Sequence, residues 1–442
     1  MEPTERTWGI TPVPERLRTL SLLDLGLLWG NLGISLLVLV AGTLLAGLGL
    51  RTALLAVLLG AVLGNALLGL AGLIGAERRL PGMVLLRDPL GHRGSYAPTA
   101  LNVLQNLGWA TFELIVIAAA ANALAGEVLG FHERWVWVLA FGALTTALAL
   151  AGPISFVRRW VRRFAVWVVI ASTGYLTWWA LDGASTGDLW NADAAGGITF
   201  WQGVDLTVAM AASWLPLAAD YTRFARRPRH AFWGTTVGYF VPLVWLYGLG
   251  ALLFLSRGTS DTTALLVSVA GGGVASALAL VALTVDETDE PFANVYSAAV
   301  SMQNLVPEAP QRVLILAVGG LAIGGALVVD LGRYESFLFL LGSFFVPLFG
   351  VLAADFLSGP RVPVSVRWTG MTAWLAGVAL YQWIQPTGPG WWVASVERVP
   401  GAGDFTGGAS LPSFALAFAL FAGLRYAHAP TRRRRARLAG SR

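Results

Sequence analysis

The chain has no cysteine in 442 residues, no lysine and only four histidines. Without cysteine, disulfides, thiolate metal sites and thiol nucleophiles are excluded. His92, His132, His230 and His428 fall in loops or at the end of an apolar block, and none has metal-ligand spacing. That argues against a zinc or haem enzyme. Charge is scarce as well: Asp, Glu and Arg make up 12% of the chain, against about a quarter in a soluble domain. All 30 basic residues are arginine, a bias expected of a GC-rich bacterial genome rather than of a mechanism. A signal peptide is also missing. The first 21 residues hold three Pro, three Glu and three Arg and lack a short apolar stretch, so the first apolar block is expected to stay in the mature protein.

Apolar side chains take the place of charge, at 56% of residues with a mean hydropathy of +0.66. They come in blocks of roughly 18 to 27 residues, enough to cross ~30 Å of hydrocarbon at 1.5 Å per residue. Twelve spans are predicted, at 22–48, 52–76, 95–125, 135–152, 160–181, 202–222, 231–255, 273–304, 312–330, 335–358, 367–386 and 410–428. Residues 262–272 read as a short surface helix or loop. Arginine sets the orientation. The N-terminus, every second loop and the C-terminus hold 25 of the 30, and the opposite side holds Arg51, Arg134, Arg257, Arg333 and Arg398. The expectation is a multi-pass protein of the bacterial inner membrane with both termini cytoplasmic. The run Arg432 to Arg435 reads as an anchor to anionic headgroups of the bilayer, and with no aromatics interleaved it gives no sign of nucleic-acid binding.

The span pattern suggests an inverted repeat. Spans three and eight are both long and lie five apart. Spans one and six, also five apart, are both interrupted, by Gly30, Asn31 and Gly33 in one and by Ser213, Trp214 and Pro216 in the other. Asp24 and Asp205 stand at matching starts. Secondary transporters show this signature, with substrate and ions at the breaks near the midplane. The chain then divides into a cytoplasmic segment 1–21, a five-helix repeat 22–181, a second repeat 202–358, two further spans within 367–428 and a basic tail 429–442. Gly60 and Gly64, and the pairs 319–320 and 324–325, read as packing positions.

The most informative segment is Asp286-Glu287-Thr288-Asp289-Glu290-Pro291-Phe292-Ala293-Asn294 in span eight. Each ionised carboxylate at the centre of a lipid-facing helix costs roughly 2.5–3.5 kcal/mol, so these must face water, a cation or protein. A plain loop at 286–290 would invert everything downstream and put the Arg-rich tail outside. As a helix, Asp286, Glu290, Asn294 and Ser297 share one face. Pro291 would leave the Glu287 carbonyl free, and such oxygens suit a hard monovalent cation or a proton. Polar helix–helix contacts could account for one or two of these groups. On span three Asn102, Asn106, Trp109 and Glu113 share a face; an indole beside a carboxylate suits a planar, nitrogen-rich ring. Trp214 is a second stacking wall or core. Asp220 and Arg223, at the end of span six, are expected to pair as a gate or a helix end. An enzyme would need a nucleophile, metal cluster or cofactor motif, and a channel a repeated pore segment; none is visible.

These residues resemble the nucleobase:cation symporter-1 family of purine–cytosine permeases and hydantoin carriers. The resemblance covers Trp8-Gly9-Ile10, Trp29-Gly30, Gly94-Ser95-Tyr96, Gly108-Trp109, Ala219-Asp220-Tyr221-Thr222-Arg223-Phe224, Ala293-Asn294-Val295-Tyr296-Ser297 and Gly342-Ser343-Phe344-Phe345. Thr288-Asp289-Glu290-Pro291 points within it to the CytX-type carriers of hydroxymethylpyrimidine, a thiamine precursor. It implies an all-α integral membrane protein of about twelve helices, a LeuT-like 5+5 inverted repeat plus two C-terminal helices. Cation symport (Na+ or H+) with alternating access would import a pyrimidine-type base, hydroxymethylpyrimidine or cytosine. A purine, allantoin or hydantoin carrier of the family, or an amino-acid carrier of the same fold, is the alternative. Trp109, Glu113, Asn106, Asn294, Trp214 and Asn31 would contact substrate. Gly30, Asn31, Ile34, Thr288, Asp289 and Asp286 would serve the cation, and Asp220, Arg223 and Pro291 gating or structure. Asp289 stands where sodium-coupled members have a hydroxyl, and Glu113 where hydantoin carriers have an amide. Beyond a coupling sodium ion no metal or cofactor is implied, and the protein is expected to be a monomer or weak oligomer.

Overall fold

The computed structural model describes residues 11–151, 166–191, 193–259, 261–306, 308–359 and 362–428. Residues 1–10 with Trp8-Gly9-Ile10, the predicted start of span five at 160–165, and the tail with Arg432 to Arg435 lie outside them. In hydrocarbon every backbone N–H and C=O needs an internal partner, and the long apolar runs accordingly form helices. Spans one to five are Leu22–Leu32 with Leu36–Thr43, Leu50–Arg78, Tyr96–Leu129, Arg134–Ala151 and Val166–Leu181. Spans six to nine are Phe200–Ala212 with Leu215–Thr222, Pro228–Arg257, Val274–Asp286 with Asp289–Leu305, and Gln311–Val328. Tyr334–Phe356, Trp368–Ile384 and Ser410–His428 complete the twelve. The bounds lie within a few residues of those read from the sequence, and Thr262–Ala270 forms the short helix before span eight.

Among the described residues three spans are broken. The halves of span one bend by 59° where Gly33, Ile34 and Ser35 leave the helix. Span six breaks at Ser213 and Trp214, with Pro216 in the first turn of its second half, where its missing N–H costs nothing. Span eight breaks at Glu287 and Thr288 only, so neither a plain loop nor one continuous helix describes it. Pro291 therefore opens a new helix rather than interrupting one. The Glu287 carbonyl is not free, since Glu290 N–H donates to it at 3.3 Å. The break also separates Asp286, the last residue of the first half, from the Glu290–Asn294 face.

Packing sorts eight spans into two groups. Span seven packs on spans one and two, and span six on span two; span eight packs on spans three, four and nine, and nine on three and four. The first group is thus one, two, six and seven, the second three, four, eight and nine. Each consists of two members and the helices five places later. Gly60 and Gly64 let spans two and six approach: a Cβ on Gly60 would lie 2.6 Å from Thr207 Cβ, and one on Gly64 2.9 Å from Ala211 Cβ. Asp24 and Asp205 do not correspond. Asp24 closes a capping box with Ser21 at the start of span one, whereas Asp205 lies inside span six and accepts from Ala409 N–H at 2.6 Å and Ser410 N–H at 3.1 Å. It caps span twelve.

On the Arg-rich side, the segment before span one is tied down. Leu20 exchanges main-chain hydrogen bonds with Phe224 and Arg226, and Val13 N–H donates to the Arg79 carbonyl. The Asp220 carboxylate accepts from Gly82 N–H at 2.9 Å, and Arg223 Nε donates to the Asp220 carbonyl at 3.2 Å.

Candidate functional site

The breaks of spans one and six meet at a cavity that spans three, seven and eight complete. Leu32, Ser35 and Val38 of span one, Met210, Ser213, Trp214 and Leu217 of span six and Tyr239 of span seven form one side. Gln105, Trp109 and Glu113 of span three face them, with Glu290 and Asn294 of span eight. Its free space of about 20 Å³ is near that of one water molecule, so admitting a ring requires its walls to move. Both helix groups contribute to those walls.

Aromatic side chains form two of the walls. Trp109 is 9% exposed and is held edge-on by Phe337, with centroids 5.3 Å apart, and by Tyr334 at 6.1 Å. Such edge contacts fix the indole plane. Trp214, at the break, donates Nε1–H to Tyr239 Oη at 3.0 Å and packs edge-on against Trp29 at 5.8 Å.

Between them the polar atoms are mostly acceptors. Asn294 Nδ2 donates to Glu113 Oε1 at 2.7 Å, across 181 residues of sequence. The Glu290 carboxyl reaches the same cavity beside them. Gln105 Nε2 donates to Asn102 Oδ1 at 2.9 Å and to the Ser213 carbonyl at 3.0 Å. Three buried acceptors remain without a partner: Gln105 Oε1, Glu113 Oε2 and Glu290 Oε1. Buried polar atoms are rarely left so. A ring whose edge carries N–H or amino groups would satisfy them.

The predicted residues divide. Trp109, Glu113, Asn294 and Trp214 meet at the cavity. Asn106 does not line it: its Nδ2 donates to the Asn102 carbonyl one turn back at 2.7 Å, and Gln105, one turn before Trp109, takes its place. Asn102 turns to Ser301 on span eight at 3.0 Å. Asn31 and Asp289 lie beside each other, which brings together the two stretches assigned to the cation. The Asn31 carbonyl already accepts from Gly33 and Ile34, and the Thr288 hydroxyl donates to the Val285 carbonyl at 2.7 Å. Gly30 lies against span seven, its Cβ position 3.6 Å from the Gly238 carbonyl. Ile34 packs on the core, and Asp286 is half-buried outside the cavity lining. Sequence reasoning passed over Ser35, Gln105, Tyr239 and the side chain of Glu287. The one available signal was Ser35 itself, a helix-capping residue just before an apolar run.

Two four-helix groups, each pairing helices five apart, meet at broken spans around a small cavity. That is an integral membrane transporter of the LeuT fold, and it needs no covalent chemistry. A family model described as a permease for cytosine/purines, uracil, thiamine and allantoin matches residues 12–367, and the chain belongs to that family. The cytosine permease of Escherichia coli K12 is 25% identical over 358 residues, covering 78% of this chain and 81% of that protein. The hydantoin permease of Microbacterium maritypicum is 26% identical over 307 residues, 64% of this chain and 62% of that protein. Among solved structures, the nucleobase-cation-symport-1 transporter Mhp1, closed with bromovinylhydantoin bound, superposes with a TM-score of 0.74 at 19% identity, covering 96% of this chain and 95% of that one. The chain is a secondary transporter for nucleobase-like solutes.

Proposed function

We propose that the protein imports a planar pyrimidine-type base, hydroxymethylpyrimidine or cytosine, by cation symport across the bacterial inner membrane, with both termini in the cytoplasm. The ring stacks on Trp109 with Trp214 opposite, and its amino or N–H edge bonds Glu113 and Gln105 beside Asn294. The observation carrying this reading is the set of unpartnered acceptors on Gln105, Glu113 and Glu290 between two indoles. A ring that offers only carbonyl oxygens would leave those acceptors unmet, and lost pairing of this kind discriminates strongly.

Glu113 and Glu290 both line the cavity, and a carboxyl there that takes up and releases a proton is one way to couple. If sodium couples instead, Asp289, the Thr288 hydroxyl and the carbonyl of Asn31 would hold it. Their oxygen donors are of the right type, and Asn31 lies beside Asp289. Coupling follows if cation and base each favour the same state of the two helix groups.

Uptake of labelled cytosine and hydroxymethylpyrimidine into proteoliposomes, under separate proton and sodium gradients, tests the proposal. Uptake driven by one gradient and competed by aminopyrimidines supports it. No ion-stimulated uptake of any pyrimidine, or stronger competition by hydantoins, purines or amino acids, overturns it.

A further inference from the structure

A buried carboxylate joins the two helix groups where spans one and eight break. Glu287, at the break in span eight, accepts a hydrogen bond from Ser35 Oγ at 3.0 Å and from the main-chain N–H of Leu36 and Leu37 at 2.5 and 3.3 Å. Leu36 and Leu37 open the second half of span one, so these N–H groups have no partner in their own helix. Leaving them unpaired at membrane depth is costly, and the positive end of the helix favours a carboxylate. Ser35 Oγ supplies the rest of the cap, accepting from Leu37 N–H at 3.1 Å and Val38 N–H at 3.4 Å.

Two further observations set Glu287 apart from its acidic neighbours. It is 1% exposed and does not line the cavity, whereas Glu113 and Glu290 do. Among the described residues, the titratable groups facing it are Asp286, Asp289 and Glu290 on its own span, Glu113 on span three and Tyr334 on span ten. None is basic. What holds this carboxylate is therefore the helix N-terminus of the opposite group and not an ion pair.

We propose that Glu287 is a positioning residue for transport. Its carboxylate clamps the second half of span one to span eight, and keeps the two helix groups in register while substrate occupies the cavity. Ser35 and Val38, at the clamped end, are also cavity wall, so release of the clamp and movement of that wall are one event. The clamp acts through hydrogen bonds to a charged acceptor, and no proton transfer at Glu287 is involved. The inference rests on the base-transport reading above.

The test compares wild type, Glu287→Gln, Glu287→Ala and the double variant Glu287→Ala with Ser35→Asp. The last supplies a full N-cap from span one itself while cutting the link to span eight. For each, affinity for labelled cytosine in detergent is measured beside initial uptake into proteoliposomes. In Glu287→Ala, affinity should stay within about threefold of wild type while uptake falls at least about tenfold, with Glu287→Gln between the two. The double variant should regain thermal stability without regaining uptake. Recovery of uptake in the double variant would show a local cap only and overturn the proposal. So would wild-type uptake in Glu287→Ala and Glu287→Gln, or parallel loss of affinity and uptake in both. Failure of the wild type to carry any base would instead sink the transport reading, and the two failures are distinct.

Discussion

Asp205 and Glu287 are both buried carboxylates that accept main-chain N–H groups at the start of another span. Their chemistry is alike and their settings differ. Asp205 joins span six to span twelve, a helix outside the two four-helix groups, and is not part of the cavity wall. Glu287 joins one group to the other beside the cavity. The same bond is a staple where nothing has to move and a coupling element where two bodies must part. On that contrast, a buried acid that caps another membrane helix serves transport when the helix it holds moves relative to its own.

Several variants would break or sharpen that contrast. Trp109→Ala removes the stacking wall and leaves both caps intact; base affinity should fall at least about 100-fold with folded yield unchanged, read by equilibrium binding on the purified protein. Glu113→Gln keeps an acceptor for Asn294 but loses the charged one, and should weaken binding by about 10- to 100-fold at unaltered thermal stability. Asp205→Ala is the opposite case. It strands two buried N–H groups at the start of span twelve and should cost about 2 kcal/mol or more of stability, while uptake per folded molecule stays near wild type. If Asp205→Ala instead slowed transport at full stability, span twelve would belong to the moving parts and the contrast would fail. Asp220→Asn should do least, since the amide oxygen can still accept from Gly82 N–H; uptake is expected within about threefold of wild type.

How much of this was legible beforehand depends on sequence separation. Helix bounds came through because apolar runs and arginine clusters are local signals. So did the Trp109–Glu113 face, which needs only an i, i+4 repeat. Asn106 was misplaced for the same reason: at i−3 from Trp109 it shares that face nominally, but its short amide closes on its own helix, while the longer Gln105 at i−4 reaches Ser213. Asp205 looked like a helix-start residue because its partners, Ala409 and Ser410, lie in another span. Glu287 was visible as one of a run of acids, yet its role depends on N–H groups 250 and 251 residues away. No periodicity reports that. The break at Glu287 and Thr288 escaped notice because Pro291 drew the kink three residues too far along.

A structure of the wild-type protein with cytosine or hydroxymethylpyrimidine bound tests the central claim most directly. The account predicts the ring flat against Trp109, with its amino edge within hydrogen-bonding distance of Glu113 and Gln105 and with Trp214 on the other face. A base bound elsewhere in the molecule, or in this cavity with its donor edge turned away from Glu113, would contradict it.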